Sequence, residues 1–275
     1  MLVTSKQMIM DAKRGGYAVG SFNTSDLEIT KAIINAGVAL KSPLIIETSE
    51  KAISFAGLEE IAAIVKAEAK KARVPVALHL DHGSSLEIVS RCIEVGYTSV
   101  MFDGSRLDFR ENKILTKRAA EMAHKNNIPC EGELGAIKKT GEEKKYTDIS
   151  EVVEFVRETH VDYLAVAIGS AHGTGGDESL NIEHLKKIRK ITNIPLVLHG
   201  ASGVSEVNIF QAIKYGICKI NIDTDIRHTY ANSIREIAKD VNIDDPRDIM
   251  TKVMGEIQKL VEIKIELFGS GGQVK

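Results

Sequence analysis

Three histidines stand where apolar runs end. His82 closes His79-Leu80-Asp81-His82, His172 lies in Ala171-His172-Gly173, and His199 lies in Leu198-His199-Gly200. Imidazoles from three separate segments can hold one divalent cation and leave coordination positions open for substrate or water. A lone histidine at the end of a strand is more often a hydrogen-bonded structural residue. Three of the eight histidines, each beside a glycine, favour a metal site. His124, His160, His184 and His228 fall on helical patterns or at their ends and read as solvated, whereas His79 reads as a core or supporting group.

Asp81 adjoins His82 yet should project to the other side, because successive residues of an extended chain alternate faces. It could exchange a proton with a substrate hydroxyl as general acid or base, or it could orient a ligand imidazole. Asp103 and Glu133 read as carboxylates supporting the ligands. Two polar turns, Gly200-Ala201-Ser202-Gly203 and Asn221-Ile222-Asp223-Thr224, have the character of a phosphate cradle in which backbone N–H groups and the Ser202 and Thr224 hydroxyls face the anion. Lys219, inside an apolar run, is a weak candidate for a Schiff-base amine.

These residues can meet only if distant segments share one end of a fold. Eight short β-rich runs occur at 17–22, 43–47, 75–80, 99–102, 129–133, 163–168, 195–198 and 218–222. Between them lie amphipathic stretches of helical period, such as Leu58-Ile61-Ala62-Val65. Strand–helix repetition implies parallel strands joined by right-handed crossovers. Eight units, nearly all ending in a polar residue, predict a (β/α)8 TIM barrel whose C-terminal strand ends form one mouth. The expectation is one domain over 1–275 with an extra C-terminal helix from about 247 to 267, and only Gly269-Ser270-Gly271-Gly272 looks loose. That helix suits a homodimer or homotetramer interface, or a cap on the barrel's own surface.

With 36 basic and 38 acidic residues the formal charge is −2, so no global field recruits nucleic acid or an anionic membrane. No stretch approaches the roughly 20 apolar residues of a membrane span, and no apolar leader segment follows a basic start. A soluble, cytoplasmic protein is expected. Cys92, Cys130 and Cys218 lack C-x-x-C spacing and read as reduced core residues.

At these residues the sequence resembles the class II, metal-dependent fructose-bisphosphate and tagatose-bisphosphate aldolases over nearly its whole length. The matching segments are Gly20-Ser21-Phe22-Asn23, Thr48-Ser49-Glu50, His79-Leu80-Asp81-His82-Gly83, Met101-Phe102-Asp103-Gly104-Ser105, Glu131-Gly132-Glu133-Leu134-Gly135, Ala167-Ile168-Gly169-Ser170-Ala171-His172-Gly173, residues 196–203, and residues 219–225. The resemblance implies zinc on His82, His172 and His199, with Glu133 and Asp103 near alternative or second-cation positions. It implies that Asp81 handles the C4 hydroxyl proton, and that Gly173, Gly200, Ser202, Asn221, Asp223 and Thr224 hold the dihydroxyacetone phosphate moiety. Asn23 and Ser49 would line the site. Arg247 would reach the other phosphate from a neighbouring subunit.

Two segments depart from the family pattern. Lys138-Lys139-Thr140-Gly141-Glu142-Glu143 replaces a mobile Gly-Gly-x-Glu-Asp loop whose Glu moves a proton at C3, and Glu142 is the better match for it than Glu143. Thr174-Gly175-Gly176-Asp177-Glu178 replaces an aromatic and a lysine after His172-Gly173.

The implied reaction is reversible cleavage of fructose 1,6-bisphosphate into two triose phosphates through a metal-stabilised enediolate. Tagatose 1,6-bisphosphate is the alternative substrate. A zinc-dependent hydrolase and a non-catalytic sugar-phosphate-binding barrel are the rivals from other classes. Three imidazoles accept zinc, cobalt, manganese or iron alike.

Overall fold

Strands covered on both faces must read as nearly continuous aliphatic runs, and segments such as Leu-Ile-Ile in β2 do so. The computed structural model describes residues 1–136, 138–139, 146–173 and 179–274, leaving aside the side chains of Lys138, Lys139 and His172. Among the described residues the strands are β1 (Val19–Asn23), β2 (Leu44–Ser49), β3 (Val76–Gly83), β4 (Ser99–Phe102), β5 (Cys130–Leu134), β6 (Lys138–Lys139), β7 (Tyr163–Val166), β8 (Ala171–His172), β9 (Leu196–Leu198) and β10 (Ile217–Ile222). Eight of them close a parallel barrel in the order β1-β10-β9-β7-β5-β4-β3-β2. The short β6 pairs with β8 apart from it, an addition that the sequence pattern did not reveal.

The helices are α1 (Ser5–Gly15), α2 (Leu27–Ala39), α3 (Glu50–Ala56), α4 (Leu58–Lys71), α5 (Leu86–Glu94), α6 (Phe109–Lys125), α7 (Ile149–Thr159), α8 (Ile182–Ile191), α9 (Glu206–Lys214), α10 (Thr224–Ile237) and α11 (Pro246–Phe268). Most start on a polar side chain that accepts from a first-turn amide, as Asp26 does from Ile29 N at 2.7 Å and Ser49 from Ala52 N at 3.3 Å. Such caps turn the chain sharply as it leaves the barrel mouth. The expected C-terminal helix is α11, which packs against α2 and α10. The tail after it is not loose: Ser42 Oγ donates to Ser270 Oγ at 2.9 Å, and Gly272 N donates to Leu40 O at 2.8 Å.

Alternation along each strand sorts the interior. Outward side chains such as Phe22, Ile46, Leu78, Val100, Leu164 and Ile220 join the helices in one large core. Inward ones at the floor, including Val19, Ile45, Ala77, Ala165 and Val197, pack on Met8, Ile9 and Ala12 of α1, which plugs the barrel from below. Above that floor the inward positions turn polar.

Candidate active site

His82 and His199 converge at the mouth. His82 Nε2 and His199 Nδ1 face each other at 2.9 Å. The far nitrogen of each ring is held by a carboxylate: His82 Nδ1–H donates to Asp103 Oδ2 and His199 Nε2–H donates to Glu131 Oε1, both at 2.7 Å. Carboxylates on the outer nitrogens fix the tautomer and the ring plane, which is how metal-binding histidines are ordinarily supported. Two nitrogens each about 2.0–2.1 Å from one tetrahedral zinc would be about 3.3 Å apart, so small ring rotations suffice to admit the ion. Asp81 Oδ1 lies on the same inner side, 3.8 Å from His82 Nε2 and 3.9 Å from His199 Nδ1. Asp81, His82 and His199 thus form one group able to hold a cation, and His82, Asp103 and Glu133 form another. The donor set fits a divalent metal.

Burial favours the neutral form of both rings. At His199 it prevails over Glu131 and the pKa is lowered, whereas at His82 the charges of Asp81, Asp103 and Glu133 outweigh it and the pKa is raised well above the ordinary value. The negative charge of Asp81, Asp103 and Glu133 thus surrounds the point where the two inner nitrogens converge.

The backbone presents His82 in an unusual way. Its φ is +50°, a left-handed conformation costing a non-glycine residue about 1–2 kcal/mol, and the register between β3 and β4 shifts between Leu80 and Gly83. Gly83 follows because a Cβ there would come 2.6 Å from the Met101 carbonyl oxygen. Gly200, next to His199, has φ +63°, and a Cβ on it would sit 2.6 Å from the Ala171 carbonyl oxygen. Both glycines let a ligand loop press on neighbouring backbone.

Asp81 is held by two amides. Asn23 Nδ2 donates to Oδ2 at 3.0 Å and Asn221 Nδ2 donates to Oδ1 at 3.1 Å. Burial would raise its pKa, but His82, His199, Lys219 and Asn23 bring it down to about 2, so it is ionised throughout the physiological range. Asp81 is not the orienting carboxylate of either imidazole, since Asp103 and Glu131 fill those places. Asn221 Oδ1 is buried with no hydrogen-bond partner among the described residues, an acceptor available to a hydroxyl.

A cavity of about 270 Å³ opens on this group. It is lined by Asn23, Ser49 and the Asp81, His82 and His199 group, and by Gly200, Ser202, Asn221, Asp223 and Thr224 of the two polar turns. Ala201 and Ile222 belong to the same two turns, but their side chains are buried in the strand–helix core. Gly173 is half-buried beside β8 and does not line this cavity. Arg247 starts α11 with an exposed side chain paired to Asp245, outside the cavity of its own chain. The side chain of His172, Glu142 and the altered segments at 140–145 and 174–178 lie outside the described residues. His184 is not simply solvated as expected; its Nε2 bonds the Thr147 carbonyl at 2.8 Å.

Reasoning from sequence missed the layer beneath the mouth. Glu131 and Ser21 stand there only within the segments that carry the resemblance, and Glu47 has no role in that reading. Lys219, fully buried, donates to Glu131 Oε2 at 3.0 Å and lies 3.5 Å from Glu47 Oε2 and 3.4 Å from His79 Nε2. Burial would lower its pKa, but Glu131, Glu47 and Asp81 raise it. A protonated, doubly paired amine cannot act as a Schiff-base nucleophile. Ser21 Oγ donates to Glu47, whose pKa is pushed up to about 8 by burial and by Asp81. His79, brought down to about 3 by burial and Lys219, is neutral and bonds Ser99 Oγ at 2.7 Å. The available signal was charge at inward positions of apolar runs: Glu47, Glu131 and Lys219 each stand between aliphatic or small neighbours.

Comparison with known proteins agrees with this architecture. The family model described as fructose-bisphosphate aldolase class-II matches residues 3–273. A fructose-bisphosphate aldolase of Geobacillus stearothermophilus is 41% identical, the match covering 99% of this chain and 98% of the relative. A 6-phospho-5-dehydro-2-deoxy-D-gluconate aldolase of Bacillus velezensis is 39% identical, covering 98% and 97%. The crystal structure of the YdjI aldolase from Escherichia coli K12 superposes with a TM-score of 0.91 at 36% identity over 100% of both chains. The chain belongs to the class II fructose-bisphosphate aldolase family, and the (β/α)8 barrel is the fold of its structural neighbours.

Proposed function

We propose that this protein is a single-domain, metal-dependent aldolase that splits the C3–C4 bond of fructose 1,6-bisphosphate, releasing dihydroxyacetone phosphate and glyceraldehyde 3-phosphate. The observation carrying this reading is the convergence of His82 and His199 at 2.9 Å beside an ionised Asp81, on the rim of a cavity bounded by two polar turns. Zinc held by His82, His199 and His172 is the proposed cofactor, with Asp103 and Glu133 near an alternative position. Bound there, a divalent cation supplies Lewis-acid stabilisation of the negative charge left on the ketone fragment.

The chain's own groups do the rest. Asp81, kept ionised and aimed by Asn23 and Asn221, accepts the C4 hydroxyl proton and starts cleavage. Asn221 Oδ1 accepts from a substrate hydroxyl, while Ser202, Thr224 and the amides around Gly200 and Asp223 face the phosphate of the ketone half. Glu142, assigned from sequence, returns a proton to C3, and Arg247 of a second copy reaches the distal phosphate in a homodimer or homotetramer. Among the described residues no helix is long and apolar enough to cross a membrane, and Cys92, Cys130 and Cys218 are free and buried, which supports a reducing, cytoplasmic setting.

The test is a coupled assay on fructose 1,6-bisphosphate, tagatose 1,6-bisphosphate and 6-phospho-5-dehydro-2-deoxy-D-gluconate, with and without EDTA. The third compound belongs in the assay because relatives of both names match at 41% and 39% identity. EDTA-sensitive cleavage of the fructose compound, faster than of the other two, is expected. No cleavage of any of them would sink the aldolase reading, and a faster rate on another would reassign the substrate.

A further inference from the structure

We infer that Lys219 is a positioning residue for the metal centre: from the dry interior of the barrel its ammonium pins the Glu131 carboxylate, which in turn fixes the His199 imidazole. The inference rests on the metal-centre reading given above. Lys219 does not line the mouth cavity and touches neither candidate ligand. It reaches His199 through one intermediary. Lys219 Nζ holds Glu131 Oε2 at 3.0 Å, and Glu131 Oε1 accepts from His199 Nε2–H at 2.7 Å. Lys219, Glu131 and His199 are all 0% exposed, so bulk solvent does not reach any link.

The carboxylate of Glu131 is attached to a chain of rotatable bonds. With both oxygens engaged by groups on different strands, its plane cannot turn, and the His199 ring it carries cannot turn either. The direction of the Nδ1 lone pair toward His82 is set by that ring plane. Glu47 and His79 surround the same ammonium at 3.5 and 3.4 Å and keep it in place. Stability alone gives little reason for such a cluster, since buried ion pairs are often replaced by apolar residues without loss.

A purely through-space role predicts the opposite sign. Lys219 is a cation beneath a cation site, so deleting its charge would tighten metal binding if direct repulsion were all that mattered. Positioning through Glu131 predicts weaker binding. The experiment compares chelator-stripped wild type with Lys219→Met, Glu131→Gln, the double variant and His199→Ala. Zinc affinity is measured by competition with a chromophoric chelator, ligand geometry by the visible spectrum of the cobalt-loaded protein, and folding by circular dichroism in EDTA.

Lys219→Met is expected to bind zinc roughly 10- to 100-fold more weakly, with an altered cobalt spectrum, and the double variant to be no worse than the weaker single one. Unchanged or tighter zinc binding by folded Lys219→Met, with an unchanged spectrum, overturns the inference. Additive losses in the double variant overturn it equally, because Lys219 would then act independently of Glu131. If Lys219→Met does not fold, the double variant is compared with Glu131→Gln: equal zinc affinity in the two supports the inference, because Lys219 then has no effect without Glu131, and a further loss in the double variant overturns it. Undiminished zinc binding by His199→Ala would instead remove the metal-centre reading itself.

Discussion

His82 Nε2 and His199 Nδ1 face each other across 2.9 Å, on residues that are 117 positions apart in the chain. Each ring is clamped at its outer nitrogen, by Asp103 and Glu131 respectively, so the inner nitrogens have little freedom to point elsewhere. His199→Ala and His172→Ala should each abolish metal-dependent cleavage while leaving the barrel folded, because His199 follows the end of β9 above the packed floor and His172 lies in β8, outside the barrel sheet. Bound metal and turnover are measured on the same preparations, and full retention of both in either variant would refute the three-histidine site.

Asp81 is predicted to behave differently from its neighbour. Asp81→Ala should keep the metal and lower cleavage by roughly two to four orders of magnitude, the usual range for losing a general acid or base. Asn23→Ala, which removes one of the two amides aiming Asp81, should lower kcat by less. A loss of bound metal in Asp81→Ala equal to that in His199→Ala would make the carboxylate a ligand.

Glu47 gives a pH signature in stability. Its pKa is about 8 in the folded chain, raised by burial and Asp81 above an ordinary value of 4.5, so the folded state keeps a proton that the unfolded chain releases first. Stability from this group is therefore fully present below about pH 4.5 and is lost as pH rises through 8. Glu47→Gln cannot ionise and escapes that loss. Relative to wild type, the variant should gain stability between pH 5 and 9, by an amount of the order of a few kcal/mol. Urea unfolding of both proteins at pH 5, 7 and 9 checks this, and parallel pH dependences would show that Glu47 is already ionised in the folded state.

For the C3 proton, Glu142→Gln should slow exchange of the dihydroxyacetone phosphate proton with solvent far more than it weakens binding, and Glu143→Gln should do little. Solvent-deuterium exchange followed by NMR on both variants reads this directly. Undiminished exchange in both would assign the step to another group at the mouth.

The eight barrel strands were legible because a strand buried on both faces has to be an unbroken aliphatic run, and each run, from 17–22 to 218–222, met one barrel strand. The mouth was legible for a related reason. A polar residue closing an apolar run, such as Asp81, His199 or Asn221, falls at the C-terminal end of the strands, where the mouth cavity receives it. What the sequence left open depended on which side of a closed barrel each residue takes and on what meets it there. Ile222 reads as part of a polar turn, yet alternation along β10 sends its side chain into the strand–helix core. Glu47, Glu131 and Lys219 read as charges that a dry interior should refuse; only closure of the barrel brings β2, β5 and β10 close enough for the Lys219 ammonium to pair with Glu131 and to lie 3.5 Å from a Glu47 carboxyl that holds its proton. The roles of Asp81 and Asp103 were likewise decided in three dimensions, because orienting an imidazole requires contact with one particular nitrogen. Spacing along a chain carries no information about that choice, and the tertiary packing gave the outer nitrogen of His82 to Asp103 and left Asp81 between two asparagines.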